Sequence, residues 1–293
     1  MQVHVARLPL YAAGLVVIVA AAATGCSASS SSGAGGGASG QASVSPLGAV
    51  QLAAKTANSA NSFTGTMIMR GTAKPGAKGA AEPMSMDATF AERVHPSPLA
   101  SINISSISSP GMPMPGGITE VGTATTFYIK WPYINQLMHL TKPWLVFSIS
   151  SAAMSSAIDL SQTMDEASGN GPLAQSQMLA AATSVRQVGT GTIDGVPVTE
   201  YTGKLPLDKA SSYLSGTAKS VVEQANANAG FSVATFTDWI DAKHMVRKSV
   251  ITEVGTDITE NLTVTMTSIN QPVNITVPPA SQTTSLLSLG GLG

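Results

Sequence analysis

The chain is expected to fold as an α+β domain built on antiparallel strands. Three observations predict this. Phe63-Thr-Gly-Thr-Met-Ile-Met-Arg70 and Met84-Ser-Met-Asp-Ala-Thr-Phe-Ala91 alternate, which puts one apolar face on each strand. Asp194-Gly195 stands between two further alternating runs, the strongest short-range hairpin signal. Helical spacing is confined to a few segments set between groups of strands, which argues against a parallel sheet with one crossover helix per strand.

The chain has 293 residues, and the first 25 read as a secretion signal. Arg7 gives a weakly basic start, Leu8–Ala23 is mainly apolar, and small residues lead up to Cys26. The apolar run is short for a membrane span, which needs roughly 20 residues. Cys26 is the only cysteine, so no disulfide forms within the monomer. Its position after Ala23-Thr-Gly25 resembles the lipobox of bacterial lipoproteins, with Ala23 where that pattern usually has Leu. The resemblance implies a diacylglycerol thioether on Cys26 and cleavage of the Gly25–Cys26 bond. Residues 26–46, rich in Ser, Gly and Ala, then read as a flexible tether with a reach of roughly 25 Å.

Ala49–Ser62 has helical spacing around Val50, Leu52, Ala53, Ala54 and Ala57. Strands follow at 63–70, 84–91 and 101–108, with a hairpin over 118–122 and 125–131. Trp144-Leu-Val-Phe147 is a short apolar run. Residues 152–160 and 173–183 read as helices. The hairpin of 185–193 and 196–205 leads to a helix expected to be capped by Asp208 and to run to about Asn226. Three strands over 231–241, 245–254 and 260–269 close the domain. Ile275–Ala280 is extended and stopped by prolines, and 281–293 reads as a disordered tail.

Fifteen basic and sixteen acidic residues leave a net charge of −1, with no basic cluster. This excludes an electrostatic footprint for nucleic acid or for an anionic membrane surface. His95, His139 and His244 read as solvated side chains. No zinc spacing, metal site, cofactor loop or nucleophile elbow occurs. Asp165-Glu166 reads as a polar loop. Asp238 and Asp241, three apart on a strand, point to opposite faces and cannot act as a pair. The chain therefore reads as a binding protein rather than an enzyme. Thirteen Met residues suit an apolar lining that adapts to irregular guests.

Three stretches carry a further resemblance. They are Thr192-Ile-Asp-Gly-Val-Pro-Val-Thr-Glu-Tyr-Thr-Gly203, Phe236-Thr-Asp-Trp-Ile-Asp241 with Met245-Val-Arg-Lys248, and Ile275-Thr-Val-Pro-Pro-Ala280. With the lipobox and the Tyr128–Tyr133 stretch, residues 45–280 are similar to actinobacterial LppX/LprG-type lipoproteins and the wider LolA-like group. The resemblance implies a strongly curved half-barrel over residues 47–280, with helices across its open side and an apolar cavity for acyl chains of a lipid or glycolipid. Phe63, Met67, Met69, Met84, Met86, Phe90, Ile102 and Ile104 are the candidate lining. It also implies a protein held by acylated Cys26 on the outer face of the cell membrane, carrying lipid across the envelope. The alternative is a regulatory lipoprotein of the same fold, acting through an envelope transporter or signalling partner.

Overall fold

The computed structural model describes residues 44–75, 84–108, 117–123, 125–148, 172–214 and 216–285. The leader, Cys26, most of the tether, the helix expected over 152–160 and the Asp165-Glu166 pair lie outside them.

The strands are β1 (Ser62–Ala73), β2 (Met84–Arg93), β3 (Leu99–Ser108), β4 (Ile118–Thr123), β5 (Thr126–Lys130) and β6 (Trp144–Ser148). After them come β7 (Thr183–Ile193), β8 (Val196–Pro206), β9 (Val233–Asp241), β10 (Val246–Val254), β11 (Ile258–Ile269) and β12 (Thr283–Ser285). All join one sheet in the order β12-β6-β5-β4-β3-β2-β1-β11-β10-β9-β8-β7. Every pairing is antiparallel except β12 on β6, which is parallel. Two meanders therefore run outward from a central seam, where β1 pairs with β11. The curved sheet does not close, which makes it the half-barrel expected.

Two features of the strands favour a strong curl. Register shifts at Thr64/Gly65, Asp87/Ala88 and Val246/Lys248 mark bulges, which bend a strand and increase its twist. Aromatic rings also lie over cross-strand glycines. Phe90 covers Gly65, and Phe236 covers Gly203 so closely that a Cβ there would sit 2.7 Å from its ring. Only glycine leaves room for these rings.

The helices are α1 (Pro46–Ala57), α2 (Pro132–Leu137), α3 (Pro172–Met178), α4 (Leu207–Ala210) and α5 (Gly216–Ala229). Helix α1 starts three residues earlier than expected, because the Ser45 hydroxyl accepts from the Gly48 N–H at 3.1 Å and Pro46 suits the first turn. It ends at Ala57, and Ser62 already belongs to β1. It buries Ala49, Val50, Ala53, Ala54 and Ala57, small residues that let it pack closely on α3 and β7.

The single helix expected from Asp208 to Asn226 is two helices. Asp208 lies in the first turn of α4 rather than at its cap, which is Pro206. Leu214 is extended and buried, and this breaks the helix between α4 and α5. Burying Leu214 in the core outweighs continuing the helical hydrogen bonds. Helix α3 gives way to a 3-10 turn at Leu179–Ala181, so Thr183 opens β7. Residues 283–285, within the expected tail, form β12. At the β7–β8 turn Asp194 and Gly195 both have positive φ, 48° and 79°, the geometry their sequence predicts.

Two buried clusters lie on one face of the sheet. The first joins β1–β6 to β11 and contains the large Met, Phe and Ile side chains. The second packs α1, α3, α4 and α5 onto β8–β10. Leu262 of β11 touches both. Among the described residues no helix is long and apolar enough to cross a membrane.

Candidate functional site

The inner face can be read row by row from the strand register. One row runs Phe63, Glu92, Ala100, Gly122, Phe127, Phe147. The next runs Gly65, Phe90, Ile102, Glu120, Ile129, Leu145. A third holds Met67, Ala88, Ile104 and Ile118, and a fourth Met69, Met86 and Ile107. All eight predicted lining residues lie on this face, and all belong to the first cluster. Their exposure runs from 0% to 8%, so the face is packed in this conformation.

Across the seam the face continues through Leu262, Val264 and Met266 of β11. A small pocket of about 10 Å³ opens where the two clusters meet. It is lined by Gln175, Ser176, Leu179, Val246, Ser249, Val264 and Met266. That is room for about one water molecule.

The face is not wholly apolar. Glu92 is 2% exposed and Glu120 is 1% exposed. Glu92 Oε2 and both carboxyl oxygens of Glu120 have no hydrogen-bond partner. Glu92 stands beside Ala100 and, one strand further, Gly122. Glu120 is flanked in register by Ile102 and Ile129. Their Cα positions are roughly 12 Å apart along the sheet, two strand spacings across and two residues along. Desolvation disfavours the charged form, so burial raises the Glu92 carboxyl to about 7 and the Glu120 carboxyl well above the ordinary carboxylate range.

Trp131 follows β5 in the same parity as Phe127 and Ile129 and packs against the first cluster. Its buried indole Nε1 is also unpartnered. Asn135 sits one turn along α2, its N–H donating to the Trp131 carbonyl at 3.0 Å. Its amide nitrogen donates to the Pro143 carbonyl at 2.8 Å, while Oδ1 is left without a partner.

In the second meander Asp238 is fully buried, opposite Ser249 on β10 and Tyr201 on β8. Burial raises its carboxyl to about 7, with the Ser249 hydroxyl working the other way. Neither oxygen has a partner in hydrogen-bond geometry. Asp241 differs sharply. It accepts from the Lys243 and Met245 N–H groups at 2.8 and 3.0 Å and pairs with Arg247 at 2.7 Å. The two acids do not form a pair, as the spacing predicts. Among the described residues no group of His, Cys, Asp or Glu is arranged to hold a metal ion.

The strand order and the one-sided face invite comparison with known folds. The chain is similar to two mycobacterial lipoproteins of solved structure. LppX from Mycobacterium tuberculosis is 17% identical, with a TM-score of 0.43, over 79% of this chain and 98% of that one. LprF from Mycobacterium bovis is 16% identical, with a TM-score of 0.46, over 80% of this chain and 96% of that one. A putative outer-membrane lipoprotein-sorting domain from Vibrio parahaemolyticus is 9% identical, with a TM-score of 0.25, over 75% and 90%. No protein-family model matches the chain, and no curated protein does.

The buried acids escape a search for catalytic motifs because they belong to none. Their signal was nonetheless present. Glu92 continues the apolar parity Met84, Met86, Ala88, Phe90, and Glu120 sits two residues after Ile118 on the same face.

Proposed function

We propose that this chain is an extracytoplasmic lipoprotein, anchored through Cys26, whose inner sheet face binds the acyl chains of a lipid or glycolipid. The observation that supports this reading is the continuous Met, Phe and Ile face on a sheet that does not close. Small ligands bind on concave, mostly apolar surfaces with few polar groups, and the free edges of an open sheet let it flex to admit one. Burial of an acyl chain would supply the affinity, at about 0.8 kcal/mol per CH₂ group. Met67, Met69, Met84 and Met86 have flexible, polarisable side chains that can repack around a guest. The eight lining residues are buried in the present conformation, so loading requires this face to open. A role in moving lipid through the envelope follows if the loaded chain exchanges its cargo between membranes.

Native mass spectrometry of the full chain, extracted gently from its producing cell, tests the reading. A retained mass of one acyl lipid is expected, released by denaturation. Protein that carries no lipid and takes up no fatty-acyl probe would remove the proposal. Replacing Cys26 by Ala should move the protein from the membrane fraction to the soluble one.

A further inference from the structure

We propose that Glu120 and the Trp131 indole form a polar subsite within the apolar face. This subsite hydrogen-bonds the uncharged ester or hydroxyl groups where the acyl chains of a lipid meet its headgroup. The inference rests on the reading that this face takes acyl chains, and it adds which part of the lipid is recognised and by which atoms.

Glu120 and Trp131 share one face and adjacent rows of the first meander. Glu120 pairs in register with Ile129, and Trp131 lies two residues beyond Ile129 in the same parity. The carboxyl and the indole N–H are thus diagonal neighbours on the β4–β5 hairpin, a spacing that long side chains bridge. Glu92 lies on the same face but two strands and one row from Glu120, outside this pair.

Neither of these two unpartnered side chains serves the fold. Glu120 makes no hydrogen bond through either oxygen, and the Trp131 N–H has no acceptor. Leaving such groups buried and unpaired is costly, whereas Asp241 in the same sheet has all its partners. A Met or Leu at position 120 would pack against Ile102 and Ile129 without that cost. The groups are therefore placed for a ligand atom.

The chemistry selects the kind of ligand. The described cations of this meander are engaged elsewhere or exposed. Arg70 pairs with Asp87, Lys74 reaches the Gly255 carbonyl, and Arg93 bonds Ser97. Lys130 is exposed, and Lys142 donates to the Ala280 and Thr283 carbonyls. A phosphate on the inner face would meet two acids and no counter-charge. A carboxyl held neutral by burial both donates and accepts, and with the indole N–H it suits ester carbonyls and hydroxyls.

Three probes separate the outcomes: 1,2-dioleoylglycerol, 1,2-dioleoylphosphatidylglycerol and hexadecane, each added to delipidated full chain and quantified by native mass spectrometry. The wild type and Glu120→Gln should load the diacylglycerol about tenfold more tightly than the phospholipid. Glu120→Met should lose about tenfold in affinity for the diacylglycerol, keep hexadecane binding unchanged, and melt higher than wild type when empty. Trp131→Phe should lose several-fold for the diacylglycerol alone. Equal loading of the diacylglycerol by wild type, Glu120→Met and Trp131→Phe would overturn the subsite, as would a preference for the phospholipid. In either case acyl binding itself would stand. Failure of all three probes to bind would instead remove the acyl-chain reading, and the subsite with it.

Discussion

Single residues carry this molecule's least ordinary property, which is a set of acids placed where apolar side chains belong. Glu92 and Asp238 each have a carboxyl raised to about 7 by burial. An acid whose folded value lies above its unfolded value binds protons more tightly in the native state. The stability it contributes is full below the unfolded value near 4 and is lost as pH rises toward about 7. Each group then costs up to about 4 kcal/mol at alkaline pH. The chain should therefore melt higher at pH 5 than at pH 8, the reverse of a protein held by ion pairs. A pH series of thermal melts checks this, and Glu92→Gln should flatten the slope. These acids were legible only as a breach of alternation. Parity places them on the inner face, but a lone sequence does not say that no partner awaits them there. Gly65 is a second decisive residue, because a Cβ there would meet the Phe90 ring at 2.6 Å. Gly65→Ala should destabilise the domain by about 2–3 kcal/mol in urea unfolding.

At the level of elements, the strands were read well and the helices less so. Alternation in β1 and β2 and the Asp194-Gly195 turn specify their own conformations locally. The break between α4 and α5 has no such local signal. Apolar spacing continues through Tyr213, Leu214, Val221 and Val222, and only tertiary burial of Leu214 interrupts it. Helix α2 escaped notice because six residues carry too little periodicity, although Pro132 marks its first turn. Relaxing that break has a measurable cost. Leu214→Ala should destabilise by about 2–4 kcal/mol, most of it from the vacated core rather than from helix propensity, as a denaturant series would show.

For the whole molecule, the half-barrel came from motif resemblance and not from periodicity. Alternation says that a strand has an apolar face. It does not say which strand meets which, and the β1–β11 seam joins segments that no local rule connects. The small pocket between the clusters is likewise a product of packing. Lipid loading should act on the whole sheet. Amide exchange in β1–β3 should slow on adding acyl lipid to the empty chain, and unchanged protection there would place binding elsewhere.

That central seam also bears on how the chain is made. Asn61, at the start of β1, donates to the side chain of Asn270, 209 residues later. The first strand thus waits for almost the last before its inner edge is paired. Until β11 emerges, the amino-terminal meander has an open flank and half a core. Contacts this distant in sequence make folding slow. A chain made from its amino terminus thus carries one unsatisfied strand edge at its centre until nearly all of its length is available.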